Sequence, residues 1–63
     1  MLTPRDQIIL DRLLEGKGYK DIGRELRISA TTVGTDVRHI CAKLDVKTRV
    51  QAAVKYAEIK RLK

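Results

Sequence analysis

The reactive side chains of this sequence are few, and their spacing argues against covalent chemistry. Cys41 is the one thiol and His39 the one imidazole. Two residues apart on a helix, they point to different sides, so geometry excludes a thiol–imidazole nucleophile. His39 has no second ligand at metal-binding spacing, and a lone cysteine makes neither a disulfide nor a CxxC site. No glycine-rich phosphate loop is present, nor a pair of acids with a pocket between them. The residues therefore predict no enzyme, no metal and no cofactor. What remains in quantity is positive charge, net +6 over 63 residues.

That charge is unevenly spread. Before Ser29, the cations Arg5, Arg12, Lys17, Lys20, Arg24 and Arg27 are nearly cancelled by Asp6, Asp11, Glu15, Asp21 and Glu25. From Ser29 onward, Arg38, Lys43, Lys47, Arg49, Lys55, Lys60, Arg61 and Lys63 meet only Asp36, Asp45 and Glu58. A basic half of this kind suits a polyanion, because neutralised phosphates release their counterions. Charge alone leaves open a basic domain with no anionic ligand.

The elements that must carry these charges are helices. Thr3 is a good N-cap, Pro4 suits the first helical position, and Asp6 stands where a capping-box acid reaches back. Ile9, Leu10, Leu13 and Leu14 then share one face, with Ile8 nearly opposite and exposed, and Gly16 and Gly18 end the segment. A short second helix turns Ile22, Gly23 and Leu26 inward, and the turn Arg27-Ile28 carries Ile28 to the core. Gly23 costs about 1 kcal/mol relative to Ala inside a helix, which a close helix–helix approach would justify. Ser29 caps a third helix whose Val33, Val37, Ile40, Cys41 and Leu44 form a continuous apolar stripe. Its outer ridge holds Thr31, Thr35, Arg38 and Ala42, flanked by Gly34 and His39. After Asp45 to Thr48 comes a fourth helix with two apolar stripes. Ala52, Tyr56 and Ile59 share one side, Val50, Val54 and Ala57 lie almost opposite, and Ala53 stands between. A bundle this small can cover only one of them. The helices are expected over about 4–15, 20–26, 30–44 and 49–60, leaving the basic tail Lys60-Arg61-Leu62-Lys63 loose.

Short helix, tight turn, longer helix and a basic excess downstream make the helix-turn-helix pattern. The residues resemble the LuxR-type (GerE-type) domain found at the C-terminus of NarL/FixJ-like response regulators and quorum-sensing regulators. The matching segments are Leu2 to Arg5, Leu13 to Gly16, Lys20-Asp21-Ile22, Leu26, Ile28-Ser29, Thr32-Val33, Val37, Ile40, Lys43-Leu44, Val46, Arg49 and Gln51-Ala52. They cover nearly the whole chain without a gap, and their joint spacing carries the likeness. The resemblance implies an all-α, four-helix domain over 1–63 that binds double-stranded DNA as a two-fold dimer and regulates bacterial transcription. By position, Thr31, Gly34, Thr35 and Arg38 of the third helix would face bases in the major groove. Lys20, Thr32, Lys43, Lys47, Thr48 and Arg49 would contact phosphates, and Val50, Val54 and Ala57 would form the homodimer face. An upstream receiver or ligand-binding domain and RNA polymerase are the further partners it implies, within a two-component system. The sequence departs from the family where lysines are common at the positions of Thr31 and Gly34, and often His at that of Asp36. Ile8 stands where an acid is common.

The competing reading keeps the helix-turn-helix frame but docks a protein, a receiver domain or RNA polymerase. The absent lysines, the acidic Asp36 and the exposed Ile8 motivate it. RNA ranks third, since two tyrosines make no stacking platform for bases. No run approaches the roughly 20 apolar residues of a membrane span and no signal peptide precedes the first polar residues, so the expected location is the cytoplasm, which also suits a single reduced cysteine.

Overall fold

The computed structural model describes residues 1–62 and consists of four helices, α1 (Pro4–Leu14), α2 (Tyr19–Leu26), α3 (Ala30–Leu44) and α4 (Arg49–Arg61). Each boundary has a local cause. Thr3 Oγ1 accepts from the Asp6 amide at 3.0 Å, and the Asp6 carboxylate accepts from the Thr3 amide at 3.0 Å, closing the capping box. At the other end Gly16, at φ +83°, bends the chain so that its own amide reaches Leu13 O and that of Lys17 reaches Arg12 O, each at 3.0 Å. That pair of bonds satisfies the last carbonyls of α1 and stops it at Leu14. Gly18 belongs to the next element: it is the N-cap of α2, which begins at Tyr19.

Ser29 Oγ caps α3 by accepting from the Thr32 amide at 3.0 Å. Thr48 caps α4, and Gln51 reciprocates by accepting from the Thr48 amide at 3.3 Å and from the Lys47 amide at 2.9 Å. Lys60 and Arg61 are the last turn of α4, not a loose tail, and Leu62 is its C-cap, while Lys63 lies outside the described residues. Lys60 Nζ sits 3.1 Å from Asp11 Oδ1, tying this end of α4 to α1.

The α3 stripe is the centre of the molecule. Val33, Val37, Ile40, Cys41 and Leu44 are all buried, packed with Ile9, Leu10, Ile22, Ala52 and Tyr56. α3 touches each of the other three helices, and α1 lies against α4. Gly23 is where α2 meets the chain that leads into α3. A Cβ there would stand 2.6 Å from the Ile28 carbonyl oxygen and 3.3 Å from the Ser29 carbonyl carbon, so only glycine fits.

Three apolar residues sit elsewhere than their periodicity suggests. Leu14 is 44% exposed, because it lies a quarter turn away from the Ile9–Leu10–Leu13 direction and overhangs the edge of α4. Ile59 is 36% exposed, lining an open surface pocket beside Leu44 and Tyr56 instead of closing the core. Ile8 is half-buried instead of exposed. Among the described residues no helix is long and apolar enough to cross a membrane.

Candidate nucleic-acid interface

With one side of α3 committed to the core, the opposite side is open. Thr31 and Arg38 are exposed, and Gly34 and Thr35 are half-buried. None of the four is packed inside the molecule. Thr35 Oγ1 donates to the Thr31 carbonyl at 3.2 Å, which occupies its proton but leaves its oxygen and methyl group facing outward. Gly34 is beside the ring of Tyr19, which a Cβ at that position would meet at 3.6 Å. This is ordinary contact, so the site accepts a side chain.

Tyr19 draws three elements together. It is the first residue of α2, its ring flanks Gly34 of α3, and the Arg49 guanidinium at the start of α4 lies 5.0 Å from the ring centroid. Such a cation–aromatic contact holds Arg49 in place while leaving its N–H groups outward. The starts of α2 and α4 are thereby brought to one flank of α3, and they carry Lys20, Lys47, Thr48 and Arg49. Neither Lys20, Lys47, Arg49 nor Arg38 makes an ion pair among the described residues. Gly18 gives α2 no side-chain cap, so the first amides of that helix also face outward without a side-chain partner.

Several other basic residues are already engaged. Lys43 Nζ is 2.7 Å from Asp6 Oδ2, inside the seam between α1 and α3. Burial works to raise the Asp6 carboxyl, but the hydrogen bonds from Lys43 and Thr3 and the Lys43 charge outweigh it and hold the group below its usual value of 3.8. Lys43 is thus a structural counterion before it is anything else. Lys55 Nζ donates to the Leu44 carbonyl at 2.8 Å, closing the C-terminus of α3. Arg12 Nε bonds Glu25 at 2.8 Å and joins α1 to α2. Thr32 and Thr48 have cap-related bonds: the Thr32 hydroxyl lies 2.9 Å from Ser29 Oγ, and Thr48 Oγ1 accepts from the Gln51 amide at 3.1 Å.

The acid beside the outward face of α3 is also compensated. Asp36 Oδ2 accepts from Arg5 Nε at 2.9 Å and from Arg5 Nη2, so Asp36 does not stand bare. Exposed ion pairs of this kind contribute at most about 1 kcal/mol. Arg5, Tyr19 and Gln51 were not singled out by spacing. Gln51 had a legible signature, since Thr48 and Gln51 are a T-x-x-Q capping box. Arg5 and Tyr19 had none, because their partners are remote in sequence.

The second stripe of α4 is open to solvent. Val50 and Val54 are 66% and 52% exposed, and Ala57 is half-buried. Leu14 extends the patch, and with Leu13, Gly16, Lys17, Arg49 and Ala53 these valines line a shallow groove between α1 and α4. Cys41 is buried on the core stripe, and burial pushes its thiol above the ordinary value. Among the described residues no three His, Cys, Asp or Glu side chains gather closely enough to hold a metal ion.

The family described as bacterial regulatory proteins, luxR family, matches residues 1–56. The chain belongs to it. Among its relatives, the transcriptional regulatory protein LiaR of Bacillus subtilis is 51% identical over 53 residues, which cover 84% of this chain and 25% of that protein. The nitrate/nitrite response regulator protein NarL of Escherichia coli K12 is 43% identical over 53 residues, covering 84% of this chain and 24% of that protein. The transcriptional regulatory protein DesR of Bacillus subtilis is 37% identical over 57 residues, 90% of this chain and 29% of that protein. The chain therefore spans about a quarter of the length of these relatives.

Proposed function

We propose that this LuxR-family chain binds double-stranded DNA and regulates transcription, with α3 entering the major groove. The observation that carries the reading is the sorting of its cations. Arg12, Lys55 and Lys60 are spent on ion pairs or a carbonyl away from that face, whereas Arg38, Lys20, Lys47 and Arg49, which make no ion pair among the described residues, gather around the outer face of α3. An α-helix fits the roughly 12 Å width of the major groove, and cations beside it then meet the groove's phosphate walls. Thr31, Gly34, Thr35 and Arg38 face base edges in this arrangement, with Arg38 able to donate to guanine O6 and N7. Lys20, Thr32, Lys47, Thr48 and Arg49 serve phosphates, helped by the uncapped amides at the start of α2. Lys43 belongs to this set only through the part of its ammonium that Asp6 leaves free.

A two-fold dimer through Val50, Val54 and Ala57, with Leu14 alongside, gives each apolar stripe a partner and pairs two half-sites. An upstream receiver or ligand-binding domain fits the short span of this chain relative to its relatives, one of which is a response regulator by name. RNA polymerase is a further partner in this reading, and the cytoplasm its location. The protein-docking alternative loses two of its motives, since Asp36 is paired and Ile8 is half-buried.

The test is titration of duplex DNA at several salt concentrations with the parent chain and with Gly34→Lys. Binding that weakens steeply with salt, and tightens on Gly34→Lys, supports α3 in the groove. Parent binding with a flat salt dependence, or no response to Gly34→Lys, overturns it.

A further inference from the structure

We propose that Asp36 sets the DNA affinity of this chain by holding Arg5 in the bond that a backbone phosphate would otherwise take. The inference rests on the DNA-binding reading above. Arg5 is the second residue of α1 and Asp36 lies midway along α3, and the packing of α1 on α3 brings them together across 31 positions of sequence. The contact uses the Nε and Nη2 edge of the guanidinium, both donating to Asp36 Oδ2. That edge is one of the two by which arginine grips an oxyanion with two parallel bonds, carboxylate and phosphate alike. Asp36 thus occupies a phosphate-binding edge of Arg5 and holds the side chain toward α3.

The position matters as much as the bond. Asp36 follows Thr35 directly and precedes Arg38 by half a turn, on the rim of α3 that faces α1. The opposite rim carries the free cations of α2 and α4. A helix seated in a groove has a phosphate wall on each side, and the cations that bridge α1 and α3 are Arg5 and Lys43.

These two differ in how readily they can change partners. Lys43 is held by Asp6, whose side chain is 11% exposed and also closes the cap of α1. Removing Lys43 from it would strand a buried carboxylate. Arg5 and Asp36 are 47% and 20% exposed, so water screens their attraction and can take over either partner. The Arg5–Asp36 pair is therefore the exchangeable one. An approaching phosphate offers Arg5 an equivalent bond, but accepting it leaves Asp36 uncompensated beside the DNA. Asp36 lowers affinity twice over, by occupying a cation and by repelling the backbone once that cation leaves.

The experiment measures binding of a mixed-sequence DNA duplex by fluorescence anisotropy across a salt series, for the parent, Asp36→Asn, Arg5→Gln and the double variant. Asp36→Asn is expected to tighten binding and to steepen the dependence of log affinity on log salt by about 0.9 per protomer, one added phosphate contact. Raising salt from about 50 to about 200 mM would then weaken the variant about 3.5-fold more than the parent. Adding Arg5→Gln to Asp36→Asn is expected to remove the extra slope, and Arg5→Gln alone to weaken binding by unmasking Asp36. Asp36→Ala, a better helix former, repeats the measurement should Asp36→Asn lose helical signal.

Failure of both Asp36 variants to bind more tightly, with helical signal intact, overturns the proposal and leaves the DNA reading standing. So does tightening that persists in the double variant, which would be lost repulsion without release of Arg5. If neither the parent nor any variant binds at low salt, both readings fall. If the parent is silent and Asp36→Asn binds, both are supported.

Discussion

Gly23→Ala is the sharpest test of how this fold is assembled. In an open helix the change would stabilise by up to about 1 kcal/mol, because glycine is the more costly residue in a helix interior. Here the new methyl would sit 2.6 Å from the Ile28 carbonyl oxygen and 3.3 Å from the Ser29 carbonyl carbon. Both obstacles are backbone, which cannot swing aside as a side chain can. Relief requires the α2–α3 turn to move, and that turn is pinned by the Ile28 amide donating to the Gly23 carbonyl at 2.8 Å. Overpacking of this kind costs about 1–3 kcal/mol, and rigid neighbours place it at the upper end. A penalty of about 3 kcal/mol less a propensity gain of about 1 leaves a net loss of about 2 kcal/mol. For so short a chain each kcal/mol moves the melting temperature by about 8 °C, so the expected fall is about 15 °C. Gly34→Ala is the internal control. Its methyl meets only the Tyr19 ring, at 3.6 Å, so the propensity gain stands and the melting temperature should rise by about 8 °C. Thermal unfolding followed by far-ultraviolet circular dichroism measures both. Equal shifts in the two variants would refute the close approach as the reason for Gly23.

Three further outcomes are expected. Val54→Asp alters a side chain that is 52% exposed, so monomer stability should change by no more than about 0.5 kcal/mol while cooperative binding to a duplex with two half-sites is lost; gel-shift isotherms on single and paired sites separate the two effects. Asp6 has a folded-state pKa below its usual 3.8, so its contribution is complete above that value and disappears as pH falls through the lower folded value; melting temperatures from near-neutral to acid pH should fall more steeply for the parent than for Asp6→Asn. Lys43→Ala should lower stability by about 1 kcal/mol by stranding Asp6, whereas Lys47→Ala should leave melting unchanged and reduce the salt slope of DNA binding by about 0.9, a contrast read by running both assays on both variants.

Much of the site was legible because the outward face of α3 is the complement of its core stripe. Once Val33, Val37 and Ile40 are buried, Thr31 and Arg38 have nowhere to go but outward. The exposed stripe of Val50 and Val54 follows by the same logic, since Ala52 and Tyr56 take the inner side of α4. Leu14 departs from the pattern because a residue at the edge of an apolar face is covered or left open by where the neighbouring helix packs, which periodicity does not encode. The basic residues were the least legible, because one lysine reads like another. Lys43 and Lys47 differ only in that an acid near the start of α1 waits for the first.

What this sequence settled by itself are the interactions that close within one helical turn. The Thr3–Asp6 box, the Ser29 cap and the buried stripe of α3 each depend on residues three or four apart, and a helix's period places them whatever surrounds it. The tertiary structure alone decided the ion pairs that join one helix to another. Arg5 with Asp36, Lys43 with Asp6 and Lys60 with Asp11 lie 31, 37 and 49 positions apart. Ionic contacts act only over a few ångströms in water, so partners that distant exist only once the helices have packed.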